Sequence, residues 1–220
     1  MARVKLNPLR SFILRACFLF CLILIFFTGR SQEVKFPKLP NVDQGESNTY
    51  TIEKGDTINK VDKDGLDQGQ WERRYEDGTL KCHGAYKDGK KEGYWERKYS
   101  NGNWEYQANY TNGYPDGNSK LYYENGKLKL DAFYKRGLFD GEVKKFSESG
   151  VPISDEFYSS GILNGYCTYY SVSGTKKREG NMKDGNYDGI WKFYNDKGEP
   201  DVEATYKDGK SIETKNVGKQ

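Results

Sequence analysis

Histidine, cysteine and proline are all scarce in this chain of 220 residues, which has one His, four Cys and six Pro. The lone histidine, His83, has no Cys/His cluster at zinc-ligand spacing around it, so no zinc site is expected. Cys17 and Cys21 lie in the N-terminal apolar segment, and only Cys82 and Cys167 remain beyond it. Two cysteines do not make a disulfide framework, even in an oxidising compartment. Long apolar runs are lacking too, apart from 16–28, ACFLFCLILIFFT. Thirteen residues at ~1.5 Å rise reach about 20 Å, short of a ~30 Å hydrocarbon core.

That run follows a segment bearing Arg3, Lys5, Arg10 and Arg15 and no acid, and it ends at Gly29-Arg30-Ser31. A basic start, a short apolar stretch and small residues at the exit read as a secretory signal peptide over 1–31. Cleavage is expected after Ser31, which makes the protein secreted or periplasmic. The alternative is an uncleaved N-terminal membrane anchor. Cys17 and Cys21 stand at the start and middle of the run, which is the wrong place for lipidation. Losing the leader removes five of the 35 Lys and Arg and none of the 32 acids, so the remainder carries a net charge of −2. The basicity therefore belongs to the leader and gives no support for nucleic-acid binding. Residues 32–44 contain Pro37 and Pro40 without strand alternation and read as an extended linker.

Glycine, by contrast, is abundant and periodic. Gly69, Gly93, Gly117, Gly141, Gly165 and Gly189 are spaced by 24 residues without an insertion. A second set, from Gly78 to Gly198, follows nine residues later, and a third, from Gly89 to Gly209, follows twenty residues later. The three sets take 18 of the 25 glycines, which leaves tandem repetition as the only serious reading. Six repeats are expected over 69–212, with a degenerate cap repeat at 45–68 and a tail at 213–220.

Each repeat reads as a β-hairpin. In the second, Tyr94 to Tyr99 is one strand, Ser100-Asn101-Gly102 the turn and Trp104 to Tyr110 the other strand. Asn-Gly favours positive φ and marks hairpin turns. The second strand alternates with period two, giving inward sets Leu80, Cys82, Gly84, Tyr86; Trp104, Tyr106, Ala108, Tyr110; and Leu128, Leu130, Ala132, Tyr134. Tyr86, Tyr110, Tyr134, Tyr158, Met182 and Tyr206 share one position and are expected to form an aromatic ladder. Trp71, Trp95 and Trp191 share another, where the middle repeats have Ser119, Val143 and Cys167. The fold class is therefore all-β, an elongated antiparallel sheet of 24-residue hairpins. About seven strand spacings of ~4.8 Å would separate Cys82 from Cys167, so both should be free thiols.

The pattern Gly-x-Trp, a Tyr/Phe pair, Asn-Gly, and a polar strand ending in Tyr before Asn/Asp-Gly resembles the MORN repeat. It is most similar to the MORN-variant repeats of bacterial antitoxin-like proteins. Gly189-Ile190-Trp191-Lys192-Phe193-Tyr194 and Tyr206-Lys207-Asp208-Gly209 carry the resemblance well; the fourth repeat departs from it with Val143 and Pro152. The resemblance implies scaffolding, protein binding or phospholipid contact, and in some members neutralisation of a cognate toxin.

An enzyme reading finds no support. His83 falls on the wet face without a Ser or Cys nucleophile, and paired carboxylates, which could in principle cleave glycosides, are scattered among lysines as on a solvated sheet. Asp62-Lys63-Asp64-Gly65 faintly resembles a calcium loop, but Lys60 and Trp71 stand where that loop needs acids. No catalytic, cofactor or metal residue is assigned. The function expected is a non-enzymatic scaffold in the cell envelope that binds a protein through its sheet surface. An antitoxin or immunity protein, or a module for membrane lipid or glycan, are the alternatives. Phe133, Ile153 and Phe157 interrupt the polar outward pattern and are the candidate partner-binding residues. Mass spectrometry of the protein from an envelope fraction should find a mature N-terminus near Gln32; an intact leader would favour the anchor.

Overall fold

A computed structural model of the chain describes residues 51–53 and 56–218. The expected signal peptide and linker lie outside the described residues. Seventeen strands follow one another: β1 (Thr51–Glu53), β2 (Asp56–Ile58), β3 (Lys60–Val61), β4 (Asp67–Arg74), β5 (Leu80–Lys87), β6 (Lys90–Lys98), β7 (Trp104–Thr111), β8 (Tyr114–Tyr122), β9 (Leu128–Lys135), β10 (Leu138–Phe146), β11 (Pro152–Ser159), β12 (Ile162–Leu163), β13 (Gly165–Tyr170), β14 (Lys176–Lys183), β15 (Asn186–Tyr194), β16 (Pro200–Lys207) and β17 (Lys210–Asn216). β1 and β2 pair only with each other. The remaining 15 form one open antiparallel sheet in chain order, with short β12 beside β11.

Two kinds of turn alternate. Within a hairpin, the loop Glu76-Asp77-Gly78 has positive φ only at Gly78, and Gly78 N–H donates to Tyr75 O at 2.9 Å. Ser100-Asn101-Gly102 is likewise positive only at its glycine, so both are three-residue loops closed by a left-handed residue. The two-residue turns with both φ positive are the connections between hairpins, from Asp88-Gly89 to Asp208-Gly209. Even Arg136 and Ser160 are held at φ of 51° and 49° there. Each connecting glycine donates its N–H to the strand that leaves the preceding connection: Gly113 to Lys91 O at 2.9 Å, Gly137 to Pro115 O at 2.8 Å, Gly161 to Phe139 O at 2.8 Å.

The two faces differ sharply. The inward positions hold, and Tyr106, Ala108, Leu130, Ala132 and Tyr134 are buried. The aromatic ladder forms by alternation between strands, not by one residue stacking on its own repeat. Tyr86 sits edge-on between Trp71 (5.4 Å) and Trp95 (4.8 Å), and Phe139 between Tyr134 (4.7 Å) and Tyr158 (5.2 Å). Cys82 and Cys167 are buried free thiols on this face.

Two of the core tryptophans, Trp95 and Trp191, each lie on a glycine of the strand before. His83 pairs with Glu96 and Ala85 with Glu92, so Gly93, Tyr94 and Trp95 bulge opposite Gly84. The Trp95 indole then lies on Gly84, where a Cβ would stand 2.1 Å from the ring, and its N–H donates to Ala85 O at 2.9 Å. Trp191 repeats this over Gly180, at 2.5 Å from the would-be Cβ, and donates to Asn181 O at 2.8 Å. Where the earlier strand carries Ala108, Ala132 or Glu156, the residue eleven positions on shrinks to Ser119, Val143 or Cys167, and these stay buried. Phe139, fully buried, takes up indole volume beside Val143.

One expectation about the faces is corrected. The register slips by one residue between Arg97 and Lys98, so Trp104 pairs with outward Lys98, whose Nζ stands 4.3 Å from the ring centroid. Leu80 and Leu128 pair in the same way with Arg74 and Tyr122. A bulge next to each hairpin turn thus breaks the alternation, and Leu80, Trp104 and Leu128 leave the inward set.

The Gly180 contact predicts a measurable cost. Gly180→Ala should destabilise the protein by about 1–3 kcal/mol in a denaturant melt, because the methyl overpacks against a buried indole. Gly189→Ala, with nothing near its would-be Cβ, meets only the strain of φ 67°. A Gly180→Ala melt equal to the parent would contradict the packing.

Candidate functional site

Neither face presents catalytic machinery among the described residues. His83 lies on the outer face directly between Glu72 and Glu96 on the neighbouring strands. No group of three or more His, Cys, Asp or Glu is placed to hold a metal ion among the described residues. Burial pushes both thiols, Cys82 and Cys167, above the ordinary range, away from nucleophilic use.

The inner face carries a buried carboxylate, Glu156, and a half-buried ammonium, Lys91. Glu156, where other repeats have Gly or Ala, accepts from Lys145 Nζ at 2.6 Å and from Tyr158 OH at 2.7 Å. Its partners account for its burial, and the Tyr158 hydroxyl is spent on it. Lys91 is more unusual. Its ammonium lies 4.7, 5.2 and 4.6 Å from the ring centroids of Trp95, Tyr106 and Tyr110 and donates to Tyr106 OH at 2.9 Å. Burial pushes its pKa down to about 8, while the ring faces work in the opposite direction.

The outer face is built of rows that cross the strands. A central row is polar throughout: Lys120, Asp131, Lys144, Asp155, Thr168, Glu179, Lys192 and Glu203 stand opposite one another on β8 to β16. Charges alternate along it except where Thr168 separates Asp155 from Glu179, and Lys120 meets Asp131 at 3.6 Å. The next row, towards the connecting turns, pairs a polar with an apolar residue in each hairpin: Asn118 with Phe133, Glu142 with Phe157, Asn181 with Tyr166, Thr205 with Ile190. All four apolar members are exposed, from 40% for Phe133 to 57% for Ile190.

The rings are laid flat by glycine. Phe157 Cβ, Cγ and Cδ1 come within 3.0–3.2 Å of where Gly165 Cβ would be, and Phe133 lies over Gly141 at 3.5–4.0 Å. Backbone covers one side of each ring and solvent meets the other. A second exposed ridge, Tyr114, Leu138 and Ile162, runs along the connecting turns of the same repeats. Of the three residues anticipated as partner-binding, the structure brings Phe133 and Phe157 into one row. Ile153 does not join them: Lys145 pairs with Ser154 and Phe146 with Pro152, which leaves Ile153 as the unpaired bulge residue, exposed but off the row. Leu138, Ile162, Tyr166 and Ile190 were missed, because each stands beside a turn or bulge where period-two reading fails.

The MORN repeat variant family model matches residues 115–136 and 187–208, one strand pair flanking a connection or hairpin turn in each case. Two MORN-variant repeats are thus present, at those positions. No curated protein matches it. MORN repeats form scaffolds that commonly bind protein or membrane lipid, and the module is generally non-catalytic.

The Lys91 site on β6 gives a signed prediction. Its folded value of about 8 lies below the ordinary 10.5, so between these values the unfolded chain holds more protons and stability rises with pH. Lys91→Met should therefore be more stable than the parent at pH 7, on the order of 1–2 kcal/mol after allowance for the rings, with the gap narrowing as pH rises from 8 towards 10.5. Urea melts across that window check it; a parent that is the more stable at pH 7 would show that the cage outweighs burial.

Proposed function

We propose that this protein is a non-enzymatic scaffold of the cell envelope that binds a protein partner on the outer face of its middle repeats. The observation that carries the reading is the cluster of exposed large apolar side chains on consecutive strands: Phe133, Leu138, Phe157, Ile162 and Tyr166 on β9, β10, β11, β12 and β13. Contiguous exposed apolar surface of this kind on a rigid sheet marks an interaction site. Flat rings held from beneath lose little freedom when covered, and burying one releases on the order of 1.5–3 kcal/mol at best. The MORN repeats supply general support, since protein contact is one of their common uses. The envelope location rests on the basic-then-apolar leader alone. An antitoxin role is a special case that requires a toxin acting outside the cytoplasm.

Phe133→Ser combined with Phe157→Ser should lower partner capture from envelope extract at least roughly tenfold. The melting transition should move little, since both side chains are already about half exposed. Unchanged capture would place the site elsewhere, and an unfolded double variant would make these residues part of the core.

A further inference from the structure

The outer face is complementary to itself. A two-fold axis running along the strands between β11 and β13 sets the four strands β8 to β11 of one copy over β16 to β13 of another. In the apolar row, Phe157 then faces Tyr166 of the second copy and Phe133 faces Ile190, while Glu142 faces Asn181. In the central row, Asp131 faces Lys192, Lys120 faces Glu203 and Lys144 faces Glu179, so like charges nowhere meet. Nearer the hairpin turns, Leu128 faces Tyr194 and Pro152 faces Tyr170. A neighbouring axis, through β11 itself, would set Asp155 against Asp155 and loses this match.

We propose that two copies of this chain pack outer face to outer face across their middle repeats as a two-fold β-sandwich. Sheets stack this way about 10 Å apart and within about 30° of parallel, which suits rings lying flat on each surface. In such an isologous contact each unlike pair occurs twice, so the complementarity counts double. Eight strands at ~4.8 Å by three outward residues at ~6.7 Å apart give roughly 38 by 20 Å per copy, or about 1,500 Å² in total, the size of a stable interface. The proposal deepens the protein-binding reading by naming the partner. It rests on that reading only in using the same face.

Two single substitutions and their mixture test it. Light scattering of the purified protein should give twice the chain mass. Asp131→Lys alone sets lysine against lysine at both symmetry-related contacts, and Lys192→Asp alone sets aspartate against aspartate at both. Each should weaken the dimer at least roughly tenfold and run at the chain mass. An equimolar mixture of the two variants forms a mixed pair in which one contact sets the lysine of Asp131→Lys against the aspartate of Lys192→Asp, and the other joins the unsubstituted Asp131 and Lys192. Opposite charges then meet at both contacts, and the mixture should return to twice the chain mass. A weakened fold within either variant cannot produce that rescue. A parent protein that stays at the chain mass, a dimer insensitive to both substitutions, or a mixture that fails to reassemble would each overturn the proposal. A monomeric parent whose Phe133/Phe157 double variant still loses capture would leave the outer face as the site of a different protein.

Discussion

The structure depends on one hydrogen bond repeated at every connection between hairpins: the N–H of a left-handed glycine reaching to the strand that leaves the preceding connection, as in Gly137 to Pro115 O at 2.8 Å. Both central residues of each connecting turn have positive φ, which glycine adopts without strain and Arg136 and Ser160 adopt only because the flanking strands hold them. The turn twists with the strands it joins, so successive hairpins continue a single sheet. Sliding one hairpin by a residue would turn its inward set outward, and the absence of any insertion in the 24-residue spacing follows from that.

Fixed register makes each hairpin answer to the one before it. The indoles of Trp95 and Trp191 occupy space vacated by Gly84 and Gly180, and the buried Ser119, Val143 and Cys167 accompany larger residues at the equivalent earlier positions. The inner face is a chain of pairwise volume agreements between neighbours, as expected of a repeat array. The outer face is free of that demand. Its glycines Gly141 and Gly165 serve instead as floors on which Phe133 and Phe157 lie. The same glycine column therefore allows the bulge that seats the core indole and levels the surface that a partner would meet.

Much of this was legible in the residues. The glycine period, the hairpin repeat, the buried second-strand positions and the MORN resemblance all follow from spacing and alternation. What alternation could not show was every place where a bulge resets it. Trp104 pairs with Lys98 because of a one-residue slip, and Ile153 drops out of the row with Phe157 for the same reason. The turn Ser100-Asn101-Gly102 was legible, but not that Gly102 alone would be left-handed there, where Tyr99 N–H pairs with Asn103 O across the three residues. The middle repeats, read column by column, lack their tryptophan; Phe139, four residues ahead of Val143, restores the packing from another column. A glycine eleven residues before each of Trp95 and Trp191 was the available signal.

A surface with alternating charge, flat exposed rings and a rigid backbone can act as a binding face only if the hairpins hold a common register through the middle of the array. Native-state hydrogen exchange at the connecting-turn amides of Gly113, Gly137, Gly161 and Gly185 reads that register directly. Protection close to that of the strand amides on either side is the predicted result. Exchange at the rate of an unstructured glycine would contradict it.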